Sequence, residues 1–293
     1  MNKFDFHSAS ELLRIADTHG MTLGEVALND ATYDQGQKMA LVKAEMQKRI
    51  DVITNSVKDG LEIHARSRSG LSGGDAFRLN KMSVEDSILG GVLHKAVTYS
   101  LAITESNAMN GKIVACPTAG SAGVLPAALI ALMQERKLTE DDLVMGMFAA
   151  GSVGIVIAEN AMIAGATGGC QAELGTAAAM AAAGLGEMLG LHPDMCTDAA
   201  AIALKGMLGL VCDPIAGLVE CPCVKRNAIA VGNAFIAVEM VMAGIKSNVP
   251  LDEVIGAMKE IGVAMHPKYK ETAEGGIAAT KTGRMVEKTI FSK

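Results

Sequence analysis

The sequence predicts an all-α fold: a single large domain, residues 1–293, of closely packed Ala-, Gly- and Met-rich helices. Three observations point there. Aromatic residues make up 3% of the chain and Trp is absent, whereas β-proteins lean on aromatic and β-branched side chains. Gly numbers 32 and Met 19; small residues let helices approach closely and Met fills irregular gaps. Half of the 293 residues are apolar, enough for a sizeable core, and they recur at three- and four-residue steps rather than alternating.

The elements follow in order. Ser8-Ala-Ser-Glu11 reads as a capping box, so a short helix is expected over 9–18, ended by Gly20. Residues 34–66 read as one long amphipathic helix, with Met39, Val42, Met46, Ile50, Ile53, Val57 and Leu61 on one face. Ser-Arg-Ser-Gly-Leu-Ser-Gly-Gly-Asp at 67–75 is a Gly/Ser loop, and a helix is expected over 83–107. Asn110-Gly111 marks a turn and 113–116 a brief extended piece. Gly-Ser-x-Gly recurs at 120–123 and 151–154, each reading as a turn before an apolar helix; the match is too short for a duplicated hairpin and suits two helices in close backbone contact. From 143 onward the chain reads as nearly continuous helix, broken at 165–169, 192–193, 213–214 and 221–222, with helices over 227–246 and 251–264 and a polar, Gly-rich tail at 268–282.

A net charge of -6 argues against a nucleic-acid surface, which needs a basic stripe. Residues 113–134 carry no charge, but Pro117, Pro126 and the 120–123 turn break the run, so a buried helix rather than a membrane span is expected. The N-terminal Met-Asn-Lys-Phe-Asp-Phe-His has no apolar signal core. A cytoplasmic location is therefore expected, where six Cys serve as metal ligands or core packing rather than disulfides.

The chain lacks a P-loop, a Gly-x-Gly-x-x-Gly after a strand and a His-Glu-x-x-His, and its lysines have no Schiff-base context. Its cysteines stand out by position. Cys170, Cys212, Cys221 and Cys223 fall at expected breaks between helices, where backbone N–H groups and helix starts stabilise negative sulfur. Spacing alone leaves them open between core packing and metal binding, because the compact Cys-x-x-Cys pair is absent. Cys116 and Cys196 read as packing.

Gly-Gly-Cys-Gln-Ala-Glu at 168–173, Cys-Asp-Pro-Ile-Ala-Gly-Leu-Val-Glu at 212–220, Pro-Cys-Val-Lys-Arg-Asn at 222–227, Pro-Thr-Ala-Gly-Ser-Ala-Gly at 117–123 and Lys-Tyr-Lys-Glu-Thr at 268–272 together resemble the α chain of iron–sulfur L-serine dehydratases. The likeness runs from the 69–75 loop to Gly-Gly-Ile-Ala-Ala-Thr at 275–280. It implies that Cys170, Cys212 and Cys223 hold a 4Fe-4S cluster, and does not carry Cys221 over. It further implies that one iron, lacking a cysteine, acts as a Lewis acid on the serine hydroxyl. Single-chain relatives end in a cysteine that can occupy the active site; this sequence ends Thr-Ile-Phe-Ser-Lys.

The resemblance also implies partners. In the family the base that takes the Cα proton is sought in a β portion, fused or separate. The expectation here is a separate β subunit, a hetero-oligomer, and L-serine as substrate; His64 is the rival base within the chain. Substrate contacts are expected from the amides of Ser72, Gly73 and Gly74 and of the turn at Gly120, from Thr118, Ser121 and Asn227, and from Lys268 and Lys270. Two rival readings are a different iron–sulfur amino-acid lyase, such as a cysteine desulfhydrase, and a non-catalytic metal-binding subunit.

Overall fold

In the computed structural model, residues 2–292 are described and regular structure among them is helical. Helix α1 (Ala9–His19) is capped by Ser8, whose hydroxyl accepts from the Glu11 amide at 3.1 Å, and stops at Gly20 in the left-handed region. The Glu11 carboxylate reaches back one residue further than a capping box requires, to the His7 amide at 2.8 Å. Helix α2 (Leu23–Asp34) was hidden in the sequence. A full capping box of Thr22 and Glu25 starts it. The long amphipathic helix is α3 (Met39–Leu61), shorter at both ends than 34–66.

A short helix, α4 (Asp75–Lys81), follows the Gly/Ser loop, and α5 (Gly90–Ala108) begins seven residues later than expected from the 83–107 pattern. The reason is visible in burial: residues 82–86 and 88–90 are exposed and Ile88 almost wholly so, leaving that apolar pattern without a core to pack on. Residues 113–115 form no strand. The uncharged stretch builds a 3₁₀ turn (Ala119–Ser121) and then helix α6 (Leu125–Arg136), 12 residues long.

Helices α7 (Glu140–Asn160) and α9 (Thr176–Met188) form the centre. Between them lie the single-turn α8 (Gly165–Gly168) and a π-helical turn (Gln171–Gly175) that runs directly into α9. Helix α9 is buried almost end to end and packs on α6, α7, α10 (Pro193–Lys205) and α11 (Cys223–Met242). Its Ala and Gly content makes this possible: a Cβ on Gly184 would stand 2.7 Å from the Gly146 carbonyl of α7. The second Gly-Ser-x-Gly therefore makes no turn. It lies inside α7, with Gly154 seated under Met180 of α9. By length and composition α7 could cross a membrane, yet 61% of its most apolar window is buried within this core.

Helix α12 (Leu251–Ala264) packs on α8 and α10. The polar, Gly-rich tail over 268–282 holds the 3₁₀ turn Gly276–Ala279 and leads into α13 (Lys281–Phe291), which is capped by Thr280 and rests on the 3₁₀ turn Ile215–Gly217. Only Gly283 of α13 is buried, so its polar composition masked a helical pattern.

Candidate active site

Three segments converge at the N-terminal end of the α9 and α11 axes. Cys170 immediately precedes the π-helical turn, its neighbour Gln171 donating its amide to the Leu210 carbonyl at 2.9 Å and its side chain bridging Met258 and Gly209. A π turn inside a helix is a frequent mark of a functional site because it offsets side chains from the regular helical face. Cys212 lies in a loop pinned from both sides: its amide donates to the Tyr269 carbonyl and its carbonyl accepts from the Glu271 amide, each at 2.8 Å. Cys223 is the first residue of α11, four residues earlier than the helix expected over 227–246, and so stands where unpaired amides favour negative sulfur.

The Cys170 and Cys212 sulfurs and a Glu173 carboxylate oxygen lie within 4.8 Å of one another. Such a donor set suits a metal with an affinity for thiolate. Cys170 and Cys212 are each 2% exposed and Cys223 7%. Cys170 is held below the usual thiol range, first by the hydrogen bond from Cys212, against burial, with Arg226 adding positive charge. Cys212 is raised by donating that bond and by burial. Cys223 is raised by burial and then by the negative potential of Cys170 and Glu173, which places it in the same electrostatic neighbourhood. The remaining cysteines lie apart. Burial alone pushes Cys116 up to about 12, and Cys196 is raised by burial within α10. Cys221 is half-buried, and all six are free thiols.

The Pro117–Gly123 turn closes over this group. Thr118 Oγ1 donates to Glu173 at 2.9 Å and sits against the buried Ser121 hydroxyl at 3.1 Å. Asn227, wholly buried, donates to the Gly120 carbonyl at 2.8 Å and the Cys223 carbonyl at 2.9 Å, and accepts from the Gly123 amide at 3.1 Å. It thus ties the turn to the start of α11. Lys270 is paired through its backbone with Cys212, while the Lys268 ammonium lies over the Tyr269 ring, 4.8 Å from its centre.

The Ser72–Gly74 turn is occupied from within the chain. The fully buried Glu105 carboxylate accepts from the amides of Gly73 (3.1 Å), Asp75 (2.8 Å) and Ala76 (3.1 Å), so it caps α4. The Ser72 hydroxyl donates to Glu220, as do those of Ser67 and Ser69. These contacts make the loop a brace for the segment leading to Cys221. His64 lies beyond the end of α3, exposed and packed on Phe77.

Sequence reasoning passed over three residues inside its own motifs. Glu173 faces the sulfurs; Arg226 lies 3.8 Å from Cys170 Sγ and donates to the Val211 carbonyl at 2.9 Å; Asp213 anchors Arg226 at 2.7 Å and accepts from the Ile277 amide at 2.7 Å. Glu173, three positions after Cys170, was the readable one, because i and i+3 share a helical face.

Residues 18–278 match the family described as "Serine dehydratase alpha chain". The chain is 44% identical over 287 residues to a probable L-serine dehydratase α chain of Bacillus subtilis, covering 98% of this chain and 95% of the relative. It is 38% identical over 288 residues to the L-serine dehydratase α chain of Peptoniphilus asaccharolyticus, covering 98% and 99%. A longer L-serine dehydratase of Streptomyces coelicolor matches at 37% over 284 residues, which are 94% of this chain but 61% of that protein. The buried thiol group thus sits in a chain that belongs to the serine dehydratase α chain family.

Proposed function

We propose that this chain is the catalytic subunit of a cytoplasmic lyase that converts L-serine to pyruvate and ammonia. The proposal includes a 4Fe-4S cluster held by Cys170, Cys212 and Cys223 and a separate β subunit. The observation that carries it is the convergence of buried sulfur on Cys170 and Cys212, with Cys223 in the same neighbourhood, in a chain similar over nearly its whole length to L-serine dehydratase α chains. The donor chemistry fits: soft sulfur ligands, Cys170 and Cys223 at helix starts and Cys212 in a pinned loop, with an Arg226 N–H near Cys170 Sγ, are what a cluster needs to hold its charge in a buried site. When bound, a cluster with three protein ligands supplies a Lewis-acidic iron that makes the serine hydroxyl a better leaving group.

This chain's own residues then have defined tasks. Asp213 and Arg226 fix the neighbourhood of Cys170. Asn227 locks the 117–123 turn against α11, so the turn and Cys223 keep one geometry. The Cα proton needs a base within hydrogen-bonding reach, and the β subunit is the proposed source. Loss of that proton and of the hydroxyl, as water, leaves aminoacrylate, which water hydrolyses to pyruvate and ammonium. The longer relatives, of which this chain matches about three-fifths, support the need for a second portion.

The test is co-expression with a β chain of the family, purification without oxygen, and measurement of iron, sulfide and pyruvate formed from L-serine. Four irons per α chain and turnover of L-serine ahead of L-cysteine and L-threonine are expected. An iron-loaded complex that turns over only L-cysteine would replace the reading with a desulfhydrase. A complex without turnover of any amino acid would leave a metal-binding subunit.

A further inference from the structure

The Glu173 carboxylate is built into the sulfur group without a positive partner. Thr118 Oγ1 donates to its Oε1 at 2.9 Å. Two glycines make the room it occupies: a Cβ on Gly120 would lie 3.2 Å from each oxygen, and one on Gly165 would lie 2.9 Å from Oε2 and 2.9 Å from Cys212 Sγ. Among the described residues no Lys, Arg or His forms an ion pair with Glu173. The cation next to the thiols, Arg226, is already held by Asp213. The neighbouring charge is negative, from Glu271 and Cys170.

A partly buried carboxylate held by Thr118, with no counter-charge, is suited to receive a cation when the site is filled. Two cations are at hand: a metal and the ammonium of an amino-acid substrate. Thr118 holds Oε1 and leaves Oε2 able to receive an N–H group, and the sulfurs alone suffice to hold iron in the proposed ligand set. We infer that Glu173 is a substrate-binding residue that receives the ammonium group of L-serine and so selects an amino acid over a hydroxy acid lacking nitrogen. This rests on the proposed function, that the site takes L-serine. It places the Cα of the substrate between the carboxylate and the thiol group, with the hydroxyl free to point toward the sulfurs.

The experiment uses the anaerobically loaded complex with its β chain, in wild-type, Glu173→Gln and Glu173→Asp forms. L-serine is compared with 3-hydroxypropanoate, which keeps the hydroxyl and carboxylate but has no ammonium. Glu173→Gln keeps the acceptor for Thr118 and removes the charge. Its iron and sulfide content and visible spectrum should match wild type. Its KM for L-serine should rise roughly 10- to 100-fold, the value of a hydrogen bond to a charged group. The inhibition constant of 3-hydroxypropanoate should stay within about twofold of wild type, since uncharged recognition is untouched. Glu173→Asp, which retains the charge, should keep the preference for L-serine, and it decides the matter if the Gln variant does not fold. Equal weakening toward both compounds, a fall in kcat at unchanged KM, or loss of iron in Glu173→Gln overturns the assignment, the last making Glu173 a metal ligand. Wild-type complex that makes no pyruvate overturns the proposed function itself; active wild type with unselective variants overturns the Glu173 assignment alone.

Discussion

Arg226 and Asp213 form an ion pair of 2.7 Å whose side chains are 16% and 3% exposed, and the same Arg226 nitrogen lies 3.8 Å from Cys170 Sγ. The pair therefore couples the loop carrying Cys212 to the first turn of α11 and to the sulfur of Cys170. Removing one partner of a buried pair leaves a charge uncompensated, which costs about 3–5 kcal/mol. Asp213→Ala is expected to lower stability by about that much and to release the Ile277 amide it also holds. Urea unfolding followed by circular dichroism checks the stability, and iron content after anaerobic loading checks the site. Unchanged values for both would show that the pair holds neither the fold nor the site.

Alanine substitution of each cysteine separates site from packing. Cys170→Ala, Cys212→Ala and Cys223→Ala are expected to lose iron and pyruvate formation while keeping native helicity. Cys116→Ala and Cys196→Ala are expected to keep both, at a packing cost of about 1 kcal/mol for the lost buried atoms. Fully loaded, active Cys212→Ala protein would remove Cys212 from the ligand set.

The fold class could be read from the sequence because α7 and α9 carry it in composition: small residues let the two helices pack closely, and only glycine permits a backbone approach such as Gly146 to Gly184. Elements whose stability comes from a few caps were harder. Helix α2 depends on the Thr22–Glu25 box and α13 on Thr280, and neither shows a long apolar stripe. The cysteines could be picked out by their position at breaks, yet spacing alone did not separate metal binding from packing. What the sequence concealed was geometry made by distant segments: Glu105 under the 72–74 turn lies about thirty positions from its partners, and Asn227 meets Gly120 across 107. No local pattern encodes such meetings, because they follow from the packing of α4, α5 and α11.

Close helix packing makes glycine positions opposite in sign. In α3 a Cβ on Gly60 would stand 2.0 Å from the Ala102 carbonyl of α5, so the helices must separate. Gly60→Ala is expected to destabilise by about 1–3 kcal/mol or more. Gly256 lies exposed in α12 with nothing within 4 Å of an added Cβ. Gly256→Ala is expected to stabilise by about 0.5–1 kcal/mol, by removing backbone freedom from the unfolded chain and raising helix propensity. Chemical denaturation of the two variants side by side checks both signs, and a stabilised Gly60→Ala protein would contradict the α3–α5 contact.

Asp30 offers a pH test of the packing between α2 and the N-terminus. Burial pushes its carboxyl up to about 6, opposed by the hydrogen bond from Asn2 at 2.6 Å and assisted by Asp34 and Asp5. A carboxyl raised on folding binds its proton more tightly in the folded than in the unfolded chain, so its contribution is fully present below the unfolded value near 4 and is lost as pH rises through about 6. Asp30→Asn keeps an oxygen that can accept from Asn2 but carries no charge. The variant is expected to gain stability relative to wild type between pH 4 and pH 6 and to hold that gain at pH 7.5. Urea midpoints of both proteins at pH 4, 5, 6 and 7.5 measure the difference. A gap that stays constant across the series, or that closes as pH rises, would mean that Asp30 is ionised in the folded protein at ordinary carboxylate pH.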